Sequence, residues 1–255
     1  MPKKNNAPPA EAAGGSAKEG GIYPFIKEEH MRSGGAVKDV VLGMNDGFVS
    51  IFSLVAGVSG AAASSSFVVL AGVAGAIAGA LSMAFGTYIS HKSQNEFFEE
   101  EFRREAWEIE NKSEVEKDEI RTLYKLKGFQ GKQLEGAVKT ITSDKKVWLR
   151  VMMLEELGLA EETLANPVKR AAVNGLAFVA ASLVPIAPFF FGLPVQQALI
   201  ASGSLSIAAL FAAGVLKSRF TQKNWLKSGL EMAFVGFLCA AVTFTIGTLF
   251  NVSGI

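Results

Sequence analysis

The sequence predicts an all-α integral membrane protein with five transmembrane helices and a helical insert between the second and third. Three long segments contain no Asp, Glu, Lys, Arg or His: residues 47–90, 171–216 and 232–255. A spanning helix needs about 20 mainly apolar residues. The first two segments therefore each accommodate two helices, and the third accommodates one. The charged residues concentrate in the stretch between the second and third spans.

The first two spans are expected over Lys38–Ala62 and Phe67–Ser90, joined by the small and polar residues of "AAASSS". The third and fourth spans reverse at "FGLPVQ", which starts at Phe191. No Gly or Pro follows Ser90 for many residues, so the second span is expected to continue into the insert as one long helix to about Glu110.

The insert, residues 91–169, holds 17 of the 24 acidic residues and 14 Lys and Arg. A new helix is expected at Ser113, because Glu116 follows three residues later as in a capping box. The expected helices after the long one run from Ser113 to Gly128, from about Gln130 to Thr140 and from Ser143 to Leu157.

The basic residues predict the orientation of the chain, because Lys and Arg stay on the cytoplasmic side. They are frequent before the first span and after the fourth, and absent from both hairpin turns. The expected division is a cytosolic, largely disordered tail (1–36), two spans (37–90), a cytosolic metal-binding insert (91–169) and three spans (170–255), with the C-terminus on the opposite side. A net charge of +1 gives no indication of nucleic-acid binding, and the single Cys239 excludes an intrachain disulfide.

Two groups of glutamates in the insert have helical spacing. Glu101, Glu105 and Glu108 share one helix face, and Glu116 and Glu119 form a second pair. Like charges at this spacing cost a helix a few tenths of a kcal/mol per pair, and a bound cation would relieve that repulsion. The alternative is a solvated helical domain whose charges form ion pairs.

The last insert helix adds Met152 and Met153, which precede Glu156 by four and three residues. Carboxylates alone suit hard cations, and thioether sulfur shifts the preference toward softer ones. The mixed set points to ferrous iron, with manganese, zinc or cobalt as competitors. Alternatively, the two methionines fill the core, as Met commonly does.

Within the spans, Asp46 is an acidic residue near the start of the first helix, and Met83 follows Gly75 and Gly79 on a small-residue face of the second. Intramembrane carboxylates are costly and mark transport pathways, whereas small-residue faces also serve as packing seams. One Asp and one Met cannot fill a coordination sphere, so a homodimer supplying two of each is inferred.

Four segments together resemble the vacuolar iron transporter family over Val37 to Phe250. They are "DVVLGMNDGFVSIFSLVAGVSGA", "AGALSMAFGTYISHKSQ", "MMLEELGL" with "NPVKRAAVNGLAFVAASLVPIAPFFF", and "GLEMAFVGFLCAAVTFTIGTLF". The resemblance implies a dimeric, proton-coupled exporter of ferrous iron, located in a vacuolar membrane in a eukaryote and in the cell membrane in a prokaryote. It implies no prosthetic group.

The resemblance also implies which residues bind metal. The pathway ligands would be Asp46 and Met83. The insert ligands would be Glu105, Glu108, Glu116, Glu119, Met152, Met153 and Glu156. Plant members carry a further acidic residue about where this chain has Gly75.

Three functions fit these residues to different degrees. A metal/proton antiporter uses both the insert and the pathway residues. A ferritin-like di-iron oxidase would need Glu-x-x-His motifs, and neither histidine has a Glu three residues before it in the insert. A membrane-anchored metal sensor or buffer would leave unexplained the stripe of small and polar residues that continues from Asp46: Ser50, Ser53, Gly57 and Gly60. The sequence therefore predicts a transporter that is not an enzyme.

Overall fold

The computed structural model describes residues 34–61, 64–160 and 164–253, and within these ranges it is helical and contains no strand. The expected tail, residues 1–36, lies outside the described residues except where the first helix begins. The α-helices of these ranges are eight: α1 Gly34–Ala61, α2 Ser65–Asn111, α3 Ser113–Leu126, α4 Gly131–Thr142, α5 Lys145–Val151, α6 Pro167–Ile186, α7 Val195–Thr221 and α8 Trp225–Ser253.

Among the described residues, five helices are long and apolar enough to cross a membrane, as predicted: α1, α2, α6 with the 3-10 turn Ala187–Phe191 that follows it, α7 and α8. Burial identifies the central ones. In the most apolar stretch of α1 and of α6, 44% and 50% of the residues are buried, against 22% in each of the other three. The helices α1 and α6 therefore form the centre of the bundle. The other three helices expose most of their apolar residues on its outer surface.

Glycines allow the central helices to approach closely. A Cβ at Gly47 of α1 would lie 2.5 Å from the carbonyl oxygen of Phe178 and 3.0 Å from the Cβ of Ala181, both in α6. Likewise, a Cβ at Gly57 would lie 3.2 Å from the carbonyl oxygen of Thr243 in α8. The small residues of the first span are thus packing positions along much of its length.

The helix α2 runs without a break for 47 residues, about 70 Å at 1.5 Å per residue. Its first half belongs to the span bundle and its second half enters the insert. There it packs with α3, α4 and α5 around one apolar cluster: Ile109, Ile120, Leu134, Val138, Ile141, Trp148 and Met152. This shared core fixes the insert helices against the end of α2.

One local expectation about the insert was wrong, and one predicted helix has an irregular end. The helix α3 does begin at Ser113, but its N-cap is Lys112, which makes no side-chain cap bond. The capping box is absent because Glu116 is buried inside the insert. The helix expected over Ser143–Leu157 is α5, capped by Asp144, followed by the π-helical turn Met152–Glu156.

Candidate metal site in the insert

Three glutamates from three different elements converge in the insert. Glu105 comes from α2, Glu116 from α3 and Glu156 from the end of the π-turn. One carboxylate oxygen of each lies within 4.8 Å of the other two. Oxygens on opposite sides of a divalent cation are about 4–5 Å apart. This spacing suits a shared cation.

Two of these carboxylates are almost fully buried, which is unusual for charged groups. Glu105 and Glu116 are 2% and 3% exposed. Oε1 of Glu105 and Oε2 of Glu116 are buried without a hydrogen-bond partner among the described residues. A buried carboxylate oxygen without a donor costs free energy, and a cation would remove that cost.

The electrostatics of the cluster favour protonation when no cation is bound. Burial raises the pKa of Glu116 to about 8, and its hydrogen bond and repulsion with Glu105 act in the same direction. Partial burial and the charges of Glu119, Glu105 and Glu108 raise the pKa of Glu156 to about 7. Burial also raises the pKa of Glu105, although its hydrogen bond with Glu116 opposes the change.

The flanking glutamates differ from one another. Glu108 is held by Lys112, whose Nζ lies 2.8 Å from its Oε1. Glu101 pairs with Arg104 at 2.5 Å. Glu119 is half-buried, and its charge adds to the rise in the pKa values of Glu105, Glu116 and Glu156.

The two methionines of the π-turn, Met152 and Met153, have different surroundings. Met152 is fully buried and belongs to the apolar cluster of the insert, against residues such as Ile109 and Trp148. Met153 is 3% exposed and lies outside that cluster. Within the turn, the N–H of Leu157 bonds to the carbonyl of Met152 five residues earlier, at 3.3 Å. A wider turn changes which side chains share a face, and π-turns are frequent at functional sites.

The two residues predicted for the transport pathway lie on neighbouring helices. Asp46 and Met83 are both half-buried, and the carbonyl of Asp46 accepts a 2.5 Å hydrogen bond from Ser50. The helices α1 and α2 are antiparallel, with Gly72 facing Val55 and Gly75 facing Leu54 and Ile51. Continuing this register places Met83 within about one helical turn of the level of Asp46.

A further charged group was missed from the sequence. Asp39 of α1 is 6% exposed, and Arg170 of α6 donates to its carboxylate at 3.0 Å. Nε2 of His91 lies 4.0 Å from the other oxygen of Asp39, and its Nδ1 is buried without a partner in the described part of the chain. The sequence does contain a signal for this group: an acidic residue just inside the first span, in "VKDVVLG".

The fold and the cluster together define a class: a multi-pass α-helical membrane protein with a cluster of three carboxylates outside its spans. A sequence model of the VIT family matches residues 37–248. The chain belongs to this family, as the resemblance predicted.

Named relatives agree with the family match. The chain is 35% identical over 218 residues to vacuolar iron transporter 1 of Tulipa gesneriana, covering 86% of this chain and 88% of the tulip protein. It is 38% identical over 236 residues to the vacuolar iron transporter of Toxoplasma gondii, covering 88% and 77%. The corresponding Plasmodium falciparum protein is 29% identical, covering 87% and 85%. The family places the chain among transport proteins and not among enzymes.

Proposed function

We propose that this protein moves a divalent metal cation, ferrous iron in the first place, out of the cytosol in exchange for protons. The observation that carries the proposal is the convergence of Glu105, Glu116 and Glu156 within 4.8 Å, on an insert whose longest helix continues from a membrane span. The relatives are named as iron transporters, which supports iron as the cargo. Manganese, cobalt and zinc are the competing cargoes.

The insert is proposed to capture the metal. The three converging glutamates would hold the cation, with further donors from the rest of the predicted set: Glu108, Glu119, Met152 and Met153. First-row divalent ions accept such mixed oxygen and sulfur donors. Of the two sulfurs, Met153 is the better candidate, because Met152 is committed to the apolar cluster.

From the insert the metal would pass to Asp46 and Met83. Glu105 stands 15 residues past Ser90 on one helix, about 22 Å from the inner end of the span. The predicted pair contributes one carboxylate and one thioether per protomer. A homodimer with two copies of each would complete the coordination, so we propose that transport requires the dimer.

Protons would be exchanged at the same carboxylates. With a pKa of about 8 for Glu116 and about 7 for Glu156, the empty cluster holds protons near neutral pH. Metal binding requires deprotonated ligands and releases those protons. Because the resemblance implies an acidic residue of plant members about where this chain has Gly75, Asp46 would be the proton-binding carboxylate of this route.

Orientation and membrane follow from the charges and the relatives. Basic residues precede the first span and lie in the α7–α8 connection, which supports a cytosolic N-terminus and insert with the C-terminus on the opposite side. The membrane would be vacuolar in a eukaryotic cell, in keeping with the names of the relatives, and the cell membrane in a prokaryote.

The test is uptake of ferrous iron into proteoliposomes with an acidic interior, comparing wild type, Asp46→Asn and Asp118→Asn. Asp118 is an exposed aspartate of α3 outside the cluster, so its variant controls for the loss of a carboxylate. We expect gradient-dependent uptake by wild type and Asp118→Asn, and little by Asp46→Asn.

The same preparation separates transport from sensing. A Glu116→Gln variant should bind manganese at least about tenfold more weakly in calorimetry, since even the outer-shell partners of a metal site cost 10–100-fold. Metal binding by a wild type that shows no uptake under any gradient would refute the transporter and favour a membrane-anchored sensor or buffer.

A further inference from the structure

A basic cavity lies where α7 ends and α8 begins, at a distance in sequence from every residue of the proposed metal route. Its volume is about 580 Å³, and it is lined by Lys217, Thr221, Lys223, Asn224, Lys227, Ser228 and Glu231. Three lysines thus face one glutamate. None of the three lysines forms an ion pair with a described residue. The cavity therefore carries positive charge that the described chain does not neutralise.

The walls of this cavity are fixed by the local fold. Gln222 adopts a left-handed conformation with φ of 53°, which ends α7 and turns the chain. Oδ1 of Asn224 then accepts the N–H groups of Leu226 and Lys227 at 2.9 and 3.1 Å, which caps the start of α8. The lysines at 223 and 227 are thus attached to an ordered helix start.

One buried polar group in the wall lacks a partner. Ser228 is 6% exposed, and its Oγ is buried without a hydrogen-bond partner in the described part of the chain. Gly214 of α7 comes into close contact with the backbone of Ser228, which holds this residue in place. A buried hydroxyl in the same wall as uncompensated lysines can donate to an acceptor group in the cavity.

The surroundings of the cavity are typical of a membrane interface. Trp225 is 56% exposed and packs edge-on against Phe211, with ring centroids 6.4 Å apart. Phe220, Leu226 and Leu230 are also exposed. Exposed aromatic residues at the ends of spans lie at the level of the lipid headgroups, and the apolar residues beside them would contact acyl chains.

We propose that this cavity binds the headgroup of an anionic glycerophospholipid. The phosphodiester would accept from the lysines and from Ser228, near the positive end of the α8 dipole. Glu231 would repel a second negative charge, but it can accept from the hydroxyls of a glycerol-type headgroup. Basic pockets between spans on the cytoplasmic side bind anionic headgroups in this way. The inference does not depend on the proposed transport activity.

The first experiment measures lipid binding to the full chain in detergent by native mass spectrometry and thermal stability. Phosphatidylglycerol is compared with phosphatidylcholine, for wild type and for the triple variant Lys217→Gln/Lys223→Gln/Lys227→Gln. A matched triple variant, Lys125→Gln/Lys132→Gln/Lys139→Gln, removes three exposed charges from the insert instead. We expect phosphatidylglycerol to be retained by wild type and by the insert variant, with affinity about tenfold or more lower in the cavity variant.

Single variants and a free anion complete the test. Ser228→Ala and Lys227→Gln, which disturb the fold less, should each weaken phosphatidylglycerol binding by a few-fold, and inorganic phosphate should stabilise the protein far less than the lipid. Equal binding of the two lipids, or no effect of the cavity variants, would overturn the proposal. Equal stabilisation by inorganic phosphate would show a site for a soluble anion and overturn the assignment to lipid.

Discussion

Arg170 donates a 3.0 Å hydrogen bond to the carboxylate of Asp39, which joins the starts of α6 and α1, the two central helices of the bundle. Both side chains are largely buried, at 20% and 9% exposure. His91 of α2 lies beside the same carboxylate. Three spans thus meet at one ion pair, at the end of the bundle where the insert leaves it.

The first prediction concerns this pair. Arg170→Gln should lower the stability of the protein by about 1–3 kcal/mol, because it leaves the buried Asp39 carboxylate without its donor. The measurement is the melting temperature in detergent. Lys169→Gln removes the neighbouring exposed charge and should have almost no effect.

A double variant tests the cause of that loss. In Asp39→Asn/Arg170→Gln the buried charge is gone, so part of the stability lost in Arg170→Gln should return. Strictly additive losses in the double-mutant cycle would argue against direct coupling between the two residues.

The second prediction is a pH dependence of the insert. The pKa of Glu116 is raised to about 8 and that of Glu156 to about 7, so the folded protein holds protons that the unfolded chain has released above about pH 4.5. Binding of these protons stabilises the folded protein. This contribution to the free energy of unfolding is fully present below pH 4.5 and is lost as the pH rises through 7 and 8. The metal-free melting temperature should therefore fall between pH 5.5 and 8.5.

Metal should reverse this trend. A divalent cation neutralises the ionised cluster, so manganese should raise the melting temperature more at pH 8.5 than at pH 5.5. Glu116→Gln should flatten the pH dependence, and Glu99→Gln, which changes an exposed glutamate of α2 outside the cluster, should not. An identical pH profile for Glu116→Gln and wild type would contradict the raised pKa.

The spans were predictable because the membrane imposes a composition. Residues 47–90 contain no charged side chain, and their hairpin formed as expected, with only small shifts of its ends. Glu105 and Glu108 were also predictable as neighbours, since three residues along one helix fix their spacing. Local periodicity thus accounts for the helices and for groups within one helix.

Contacts between helices were harder to foresee. The approach of Glu105 to Glu116 depends on how α3 folds back on α2, and no short-range pattern encodes it. The π-turn also escaped prediction, because Met152 and Met153 fit an ordinary helix equally well. The pairing of Asp39 with Arg170 joins residues 131 positions apart, and the sequence marks each only as a charge near the end of a span.

The third prediction separates the two methionines. Met153→Leu keeps the volume but removes the sulfur, so it should weaken binding of softer cations such as cobalt or zinc while leaving magnesium unchanged. Met152→Leu alters a core position and should change stability by less than about 1.5 kcal/mol without affecting metal preference. Calorimetric titration of the two variants distinguishes a ligand from a core residue. Equal metal preferences for Met153→Leu and wild type would show that the sulfur of Met153 is not a metal ligand.

The fourth prediction tests the close approach of the central helices. A methyl group at Gly47 would press on the backbone of Phe178 and on Ala181, neither of which can rotate away. Gly47→Ala should therefore cost about 1–3 kcal/mol, as overpacking does in well-packed cores. Gly203→Ala on α7 is the matched control, because its new methyl would meet Phe52 at an ordinary 3.6 Å. Ala is also the better helix former, so the control should be neutral or slightly stabilising. If both variants melt at the wild-type temperature, α1 and α6 pack less closely than the structure shows.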